Sequence, residues 1–293
     1  MQNEIAIYED LFKQKILSIQ VQQSPYGSSI HFLVLPDGSE WVVKIIPAQN
    51  WLGDFDEKYL NFTESIAAQV AVSLQLTKSA KLWETGNFAV QVAGTWRLFI
   101  PYCPGKVLVT CSKEQAFKLG SILASLHQLD LPKEGSKPFP QPTAARSPFL
   151  LQMAEECCHH HLHAYEDWVT SHRDIHLGNV IWKKNIPYLI DWDSAGLIHP
   201  FVELIGLAVN CAGIAAGRFN PHSFSAALCG YRKQAGRLPA SDKPLWSLCY
   251  QSWLLWLEFK TKQNEENEIK NTLRAIALLK EKMEVIKNIY YAA

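Results

Sequence analysis

Apolar residues in the first hundred positions fall mostly at strand spacing, and those that follow fall mostly at helical spacing. Ile5, Tyr8, Leu11, Phe12 and Ile16 predict a helix over residues 5–17, and a strand-like segment starts at Ile19. Residues 24–29, SPYGSS, form a small-residue turn. A strand over 30–35 leaves it, and a tight turn at 36–39 leads into the next strand, 41–46. In that second strand Val43 and Ile45 share one face, while Lys44 points to the other with Val42 and Ile46. Residues 61–64 open a helix whose stripe is Ile66, Ala67, Val70, Ala71 and Leu74. A hairpin over 88–93 and 96–100 turns at Gly94-Thr95, and 101–105 is a loop broken by two prolines and a glycine. A helix follows over 112–129 with Leu119, Leu123, Leu126 and His127 on its inner side, then a surface loop rich in Pro and Lys over 130–147. Residues 179–182 and 186–190 read as two short strands joined by a turn at 183–185. An apolar helix over 204–213 comes next. Trp246, Tyr250, Trp253, Trp256 and Phe259 then recur at helical spacing, a stripe better suited to core than to a binding surface. A long amphipathic helix over 264–290 ends the pattern, with Ile269, Leu273, Ile276, Leu279, Met283, Ile286 and Tyr290 on one side.

Composition narrows the class of protein. The chain has 293 residues, enough for one large domain or two lobes. Lys and Arg number 28 and Asp and Glu 28, so no global field favours nucleic acid or an anionic membrane. A hydrophobic share of 48% with 19% charged residues fits a compact globular protein. The acidic start, MQNEIAIYEDLFKQK, does not read as a signal peptide, and no apolar run is long enough to span a membrane. Seven scattered cysteines without C-x-x-C spacing point to free thiols in a reducing compartment. A cytoplasmic protein is expected. The run Cys157-Cys158-His159-His160-His161-Leu162-His163 reads as the polar side of a helix, although His159 and His163, at i and i+4, could share a metal ion.

The chemistry concentrates in residues 171–195, SHRDIHLGNVIWKKNIPYLIDWDSA. Phosphoryl transfer from a nucleotide needs a carboxylate to orient and deprotonate the attacking hydroxyl, and oxygen ligands to hold Mg²⁺ against the phosphates. Asp174 suits the first task, and Asn179 with Asp191 the second. The predicted hairpin would bring Asn179 and Asp191 to the same end of one ribbon. By average residue usage H-x-D-x-x-x-x-N alone turns up in about one chain in a hundred of this length. The weight therefore rests on Asp191, 17 residues after Asp174 on a second apolar strand.

HRDIHLGN followed by LIDWD resembles the core of the aminoglycoside phosphotransferase and choline kinase family, small-molecule kinases with a protein-kinase-like fold. The resemblance implies an α+β fold of two lobes. Residues 1–102 would form a small nucleotide-binding lobe with a five-stranded antiparallel sheet, and 103–293 a mainly helical catalytic and substrate-binding lobe. It implies ATP or GTP as phosphoryl donor, Mg²⁺, and a small hydroxyl-bearing acceptor, with no nucleic acid or membrane partner. Lys44 resembles the strand lysine that touches the nucleotide phosphates, with Glu64 as its carboxylate partner and Glu57 as the alternative. Gly27 and Ser28 lie where the family's loop covers the nucleotide, but no G-x-G-x-x-G run is present. Backbone groups at Tyr102 and Cys103 would hold the purine edge. His172 and His176 read as hydrogen-bonding braces of the loop, with Leu177 where proline is usual. Asp193 could brace the site or face substrate. Glu203 stands where the family usually has Asp.

The acceptor is less defined. Glu258 and Trp256 are candidate substrate residues, since an aromatic beside a carboxylate suits a cationic or sugar-like acceptor. Glu265, Glu266 and Glu268 are balanced by Lys260, Lys262 and Lys270, so an aminoglycoside is not singled out over choline, an amino sugar or a fructosamine. A protein substrate is disfavoured because Asp191 is followed by Trp192-Asp193 rather than by the Phe-Gly of protein kinases. The alternative from another class is a nucleotide-binding module without catalysis. The joint presence of Lys44, Asp174, Asn179 and Asp191 speaks against it.

Overall fold

The computed structural model describes residues 2–23, 29–137, 139–143, 148–161 and 167–293. Helix α1 (Gln2–Phe12) precedes strands β1 (Ser18–Gln23), β2 (Ser29–Val34) and β3 (Glu40–Ile45). A short hairpin, β4 (Gln49–Asn50) and β5 (Gly53–Asp54), leads to α2 (Glu57–Leu74), and β6 (Val90–Val92) and β7 (Thr95–Pro101) follow. The main sheet is antiparallel throughout in the order β1-β2-β3-β7-β6. Its tight turns are chemically specified. Gly38 has φ +80°, and Ala93 and Gly94 have φ 49° and 79°, the paired positive angles that a two-residue hairpin turn requires.

Alternation along β3 decides what each face of the sheet does. Val43 pairs with His31 and Phe99, and this face packs against Tyr8, Leu11 and Phe12 of α1. Lys44 lies on the opposite face, where Ile46 and Leu98 pack on Leu60 of α2. The α2 helix starts at Glu57, four residues earlier than its stripe suggests, because Asp56 caps it by accepting from Tyr59 N at 2.7 Å. Glu64 therefore sits well inside the helix and not in its first turn.

The larger, helical part comprises β8 (Lys106–Val107), α3 (Lys113–His127), α4 (Pro148–His161), β9 (Val169–Ser171), β10 (Val180–Lys183), β11 (Ile186–Leu189), β12 (Gly196–Ile198), α5 (Pro200–Ala212), α6 (Pro221–Ala235), α7 (Lys243–Leu248), α8 (Gln251–Lys262) and α9 (Glu266–Ala292). Ser112 and Gln115 form a reciprocal capping box at the start of α3. Helices α3 and α6 cross with their backbones in close approach. A Cβ at Gly120 would collide with the Ala227 carbonyl, and one at Gly230 with that of Phe117. One continuous core joins Ile66 and Val70 of α2 to Leu123, Phe201, Leu204, Phe224, Leu279 and Ile286.

Two helical expectations need correction. The helix read from 204 begins at Pro200, with His199 as its cap, so Glu203 lies in its first turn. The aromatic stripe of 246–259 breaks between α7 and α8 at Cys249–Tyr250. Trp246 belongs to the core, 4.7 Å from the Phe201 ring and 5.6 Å from Tyr290. Among the described residues no helix is long and apolar enough to cross a membrane.

Candidate active site

The loop after β9 is shaped by hydrogen bonds that its own sequence supplies. His172 Nε2 donates to Ile190 O at 2.9 Å, leaving Nδ1 to accept from Asp174 N at 3.3 Å. His176 Nδ1 accepts from Gly178 N at 3.1 Å, and a Cβ on Gly178 would strike that ring. Asn179 Nδ2 donates to Asp174 O at 2.9 Å and to Asp174 Oδ2 at 3.2 Å. Both histidines thus accept a backbone N–H through Nδ1 and tighten the turn. Burial pushes the Asp174 carboxyl above the usual carboxylate range, helped by the Asp191 charge and opposed by His176, His172 and Asn179.

Strands β10 and β11 pair with Val180 opposite Leu189, and Ile190 N donates to Asn179 O at 3.0 Å. Asn179 and Asp191 therefore leave the ribbon at one end, as the alternating pattern predicts. Asp191 has φ 68°, a left-handed backbone that Asp tolerates better than most side chains. The next residue anchors this turn: Trp192 is buried and its Nε1 donates to Thr77 Oγ1 at 2.9 Å, while Thr77 Oγ1 donates to Leu189 O at 2.7 Å.

Lys44 reaches from the sheet into this turn. Its ammonium donates to Asp191 Oδ1 and to Asp193 Oδ2, both at 2.5 Å. Burial alone would lower the Lys44 pKa, but the charges of Asp191 and Asp193 outweigh it and raise it. The Asp191 carboxyl is held below its ordinary value, since Lys44 outweighs burial there, and its side chain stays 43% exposed. Asp193 is raised, by burial first and by Asp191 and Asp174 beside it.

The expected Lys44–Glu64 ion pair is not formed. Glu64 is 3% exposed and its Oε2 accepts from Ala80 N at 2.9 Å. Two carboxylates on one turn satisfy Lys44 instead. The alternative partner, Glu57, accepts from Asn87 Nδ2 at 2.8 Å. Burial pushes the Glu64 carboxyl from 4.5 up to about 7. The folded chain then keeps a proton that the unfolded chain releases, so this group's stabilisation is full below pH 4.5 and is lost as pH rises through about 7. We expect Glu64→Gln to gain on wild type by about 3 kcal/mol across that window. Urea unfolding of both proteins from pH 4.5 upward checks this, and a pH-independent difference would contradict it.

The hinge candidates fall between β7 and β8. Tyr102 N donates to Glu40 O at 2.8 Å, so that N–H is engaged within the sheet. The Tyr102 ring is 38% exposed and lies edge-on to Phe32 at 6.0 Å. Gly27 and Ser28 lie outside the described residues. So do the side chains of 158–163 in the Cys/His run, whereas Cys157 is buried and donates its thiol to Ser247 O.

Glu258 is not a free helix carboxylate. It accepts from Thr143 N at 3.0 Å and Thr143 Oγ1 at 2.8 Å and pairs with Lys262 at 3.0 Å. Trp256 stacks under the ammonium of Lys260, which lies 4.8 Å from its ring centre. Glu258 therefore ties α8 to the 139–143 segment, and Trp256 packs on Lys260 and Phe259 of its own helix.

The most consequential residue that sequence left undefined is Glu203. It is 4% exposed; Oε1 accepts from Arg173 N at 2.6 Å, and Oε2 is 2.7 Å from His127 Nε2. His127 Nδ1 is in turn 2.9 Å from the Tyr231 hydroxyl. A single carboxylate from α5 thus ties the Asp174 loop to α3. No local signal marks this, because its partners lie 30 and 76 residues away. Glu203→Ala would leave the buried Arg173 N–H and His127 Nε2 unpaired. We expect a loss of about 3 kcal/mol in urea unfolding, with Glu203→Gln losing less.

Comparison with known proteins identifies the family and the fold. Residues 25–237 match the profile of the phosphotransferase enzyme family. No curated protein sequence matches significantly. Spectinomycin phosphotransferase, solved with ADP and spectinomycin, is 16% identical with a TM-score of 0.68, over 94% of this chain and 97% of that one. Amicoumacin kinase with AMP-PNP and Ca²⁺ is 11% identical at a TM-score of 0.70, over 93% of each chain. The choline kinase LicA from Streptococcus pneumoniae is 15% identical at 0.65, over 94% and 99%. At such identities the likeness is one of fold, the two-lobed protein-kinase-like α+β architecture. With most of its length matched by the profile and the fold shared along its length, this chain belongs to the phosphotransferase enzyme family.

Proposed function

We propose that this phosphotransferase moves the γ-phosphoryl of ATP or GTP to a hydroxyl of a small molecule, with residues 1–102 as the nucleotide lobe and 103–293 as the catalytic lobe. The observation that carries the reading is the convergence of Lys44 on Asp191 and Asp193 beside the hydrogen-bonded pair Asp174–Asn179. Asp174 orients the acceptor hydroxyl and takes its proton at a carboxylate oxygen. Its raised pKa brings it nearer to neutrality than an ordinary Asp, which strengthens it as a base. Lys44 leaves the two carboxylates to hold the nucleotide phosphates. Tyr102 and Cys103 offer backbone to the base.

The donor set suits Mg²⁺. Asp191 presents a depressed, partly exposed carboxylate. Asn179 spends its amide nitrogen on Asp174, and no described residue donates to its Oδ1. Hard oxygen donors of this kind fit Mg²⁺, which when bound neutralises phosphate charge. Asp193, on the same turn, is a further oxygen. Its bond to Lys44 makes it part of the phosphate-side charge network, and we remove it from the acceptor candidates on that ground. A nucleoside triphosphate donor fits a cytoplasmic protein.

The structural neighbours act on spectinomycin, amicoumacin and choline, and another is an aminopropanol kinase, so hydroxylated amines are the acceptors to test first. ADP or GDP release with Mg²⁺ and each nucleotide, with no acceptor and then across aminoglycosides, spectinomycin, choline and amino alcohols, tests the reading. Release stimulated by one class would name the acceptor. Absence of binding by both nucleotides would sink the proposal in favour of a non-catalytic module.

A further inference from the structure

Arg173 is a buried guanidinium with no carboxylate in ion-pairing distance among the described residues. It is 4% exposed and has φ 65°, in the left-handed region that a long side chain rarely adopts. Neutral oxygens hold it. Nε donates to Ser194 O at 2.5 Å, Nη1 to Lys137 O at 2.7 Å, and Nη2 to the Tyr59 hydroxyl at 2.9 Å. Burying such a charge on neutral partners is costly, and a positive φ adds to the cost. The gain must lie in what those partners join.

They join three separate parts of the chain. Tyr59, 4% exposed, is in the first turn of α2, and its hydroxyl also donates to Ala195 O at 3.3 Å. Ser194 and Ala195 directly follow the Asp191–Asp193 turn. Lys137 belongs to the segment between α3 and α4. Its ammonium binds Asp56, the cap of α2, at 2.8 Å and lies 4.6 Å from the Tyr59 ring centre. Two residues on, the Phe139 ring faces the Arg173 guanidinium at 4.6 Å and meets Trp51 of the β4–β5 connection at 5.7 Å. Ser136 Oγ accepts from Leu197 N at 2.6 Å. The small lobe thus meets the large lobe a second time, away from the hinge, and Arg173 sits at the centre of that contact.

We propose that Tyr59 and Arg173 form an interlobe latch, with Arg173 a positioning residue that couples seating of α2 to alignment of the Asp174 loop and of the Asp191–Asp193 turn. The inference rests on Asp174 being the base. Without the Tyr59 hydroxyl, Nη2 loses its partner, and the loop on one side and the 194–197 segment on the other lose their common tie.

Tyr59→Phe tests this because it keeps the ring that stacks under Lys137 and removes only the hydroxyl. Hydrogen exchange, the pH dependence of turnover and kinetic constants would be compared for wild type, Tyr59→Phe, Arg173→Lys and the double variant. For Tyr59→Phe we expect amide exchange across 172–179 and 192–197 to rise about tenfold, with α5 unchanged. Turnover should fall roughly tenfold at constant nucleotide KM, and the double variant should be no slower than the slower single one. Arg173→Lys, which keeps the charge, serves if another substitution fails to fold. Exchange in both loops equal to wild type, or effects that multiply as independent changes, would overturn the latch. If wild-type protein turns over neither nucleotide, the base assignment fails while the exchange result still decides whether the latch exists.

Discussion

Asp174→Asn is expected to lower kcat by about 10³-fold while nucleotide binding changes little. Asparagine keeps the shape and can still accept a hydrogen bond, but it cannot take the proton of the acceptor hydroxyl. The loop should survive, because its other ties, His172 to Ile190 O and Glu203 to Arg173 N, do not involve the Asp174 carboxylate. A loss confined to kcat therefore reads as lost chemistry, and a matching loss of nucleotide affinity would argue against the assignment. The acid limb of the wild-type pH–rate profile provides a second check. Burial and the Asp191 charge raise the Asp174 pKa. Activity should fall, as pH is lowered, at a higher pH than an ordinary aspartate would give.

Asp191→Asn is expected to lower kcat by about 10²- to 10³-fold and to weaken the dependence on Mg²⁺ concentration. In the proposed function the depressed Asp191 carboxylate supplies an anionic oxygen to Mg²⁺, and an amide oxygen binds Mg²⁺ far more weakly. Lys44 would keep Asp193 as a partner, so the sheet should hold its place. The substitution also removes a negative charge that helps to raise Asp174, so the acid limb should move to lower pH in whatever activity remains. Steady-state kinetics across Mg²⁺ concentration and pH separate the two effects. An unchanged Mg²⁺ dependence would remove Asp191 from the ligand set.

Legibility from sequence varied with the distance between partners. The hairpin that carries Asn179 and Asp191 could be read residue by residue, because two short alternating runs and a polar turn specify it locally. The face of Lys44 was legible for the same reason, since strand alternation leaves no choice. Helix starts were read less well. The cap at Asp56 and the His199-Pro200 start both precede the first apolar repeat, so the stripe alone places each helix start too late.

Partnerships were another matter. Lys44 meets Asp191 and Asp193 across 147 and 149 residues, Tyr59 meets Arg173 across 114, and Glu203 meets His127 across 76. Glu64 bonds Ala80 N, and the carboxylates the ammonium reaches come instead from a turn far along the chain. Sequence by itself determined the principal strands and helices, the face that Lys44 takes and the chemistry gathered in residues 171–195. Those depend on neighbours a few positions apart, through the strand and helix periods and the steric rules of turns. The tertiary structure alone decided which charges pair and which loops are braced. Such contacts come from the packing of whole elements, and no local period encodes where two remote surfaces will meet.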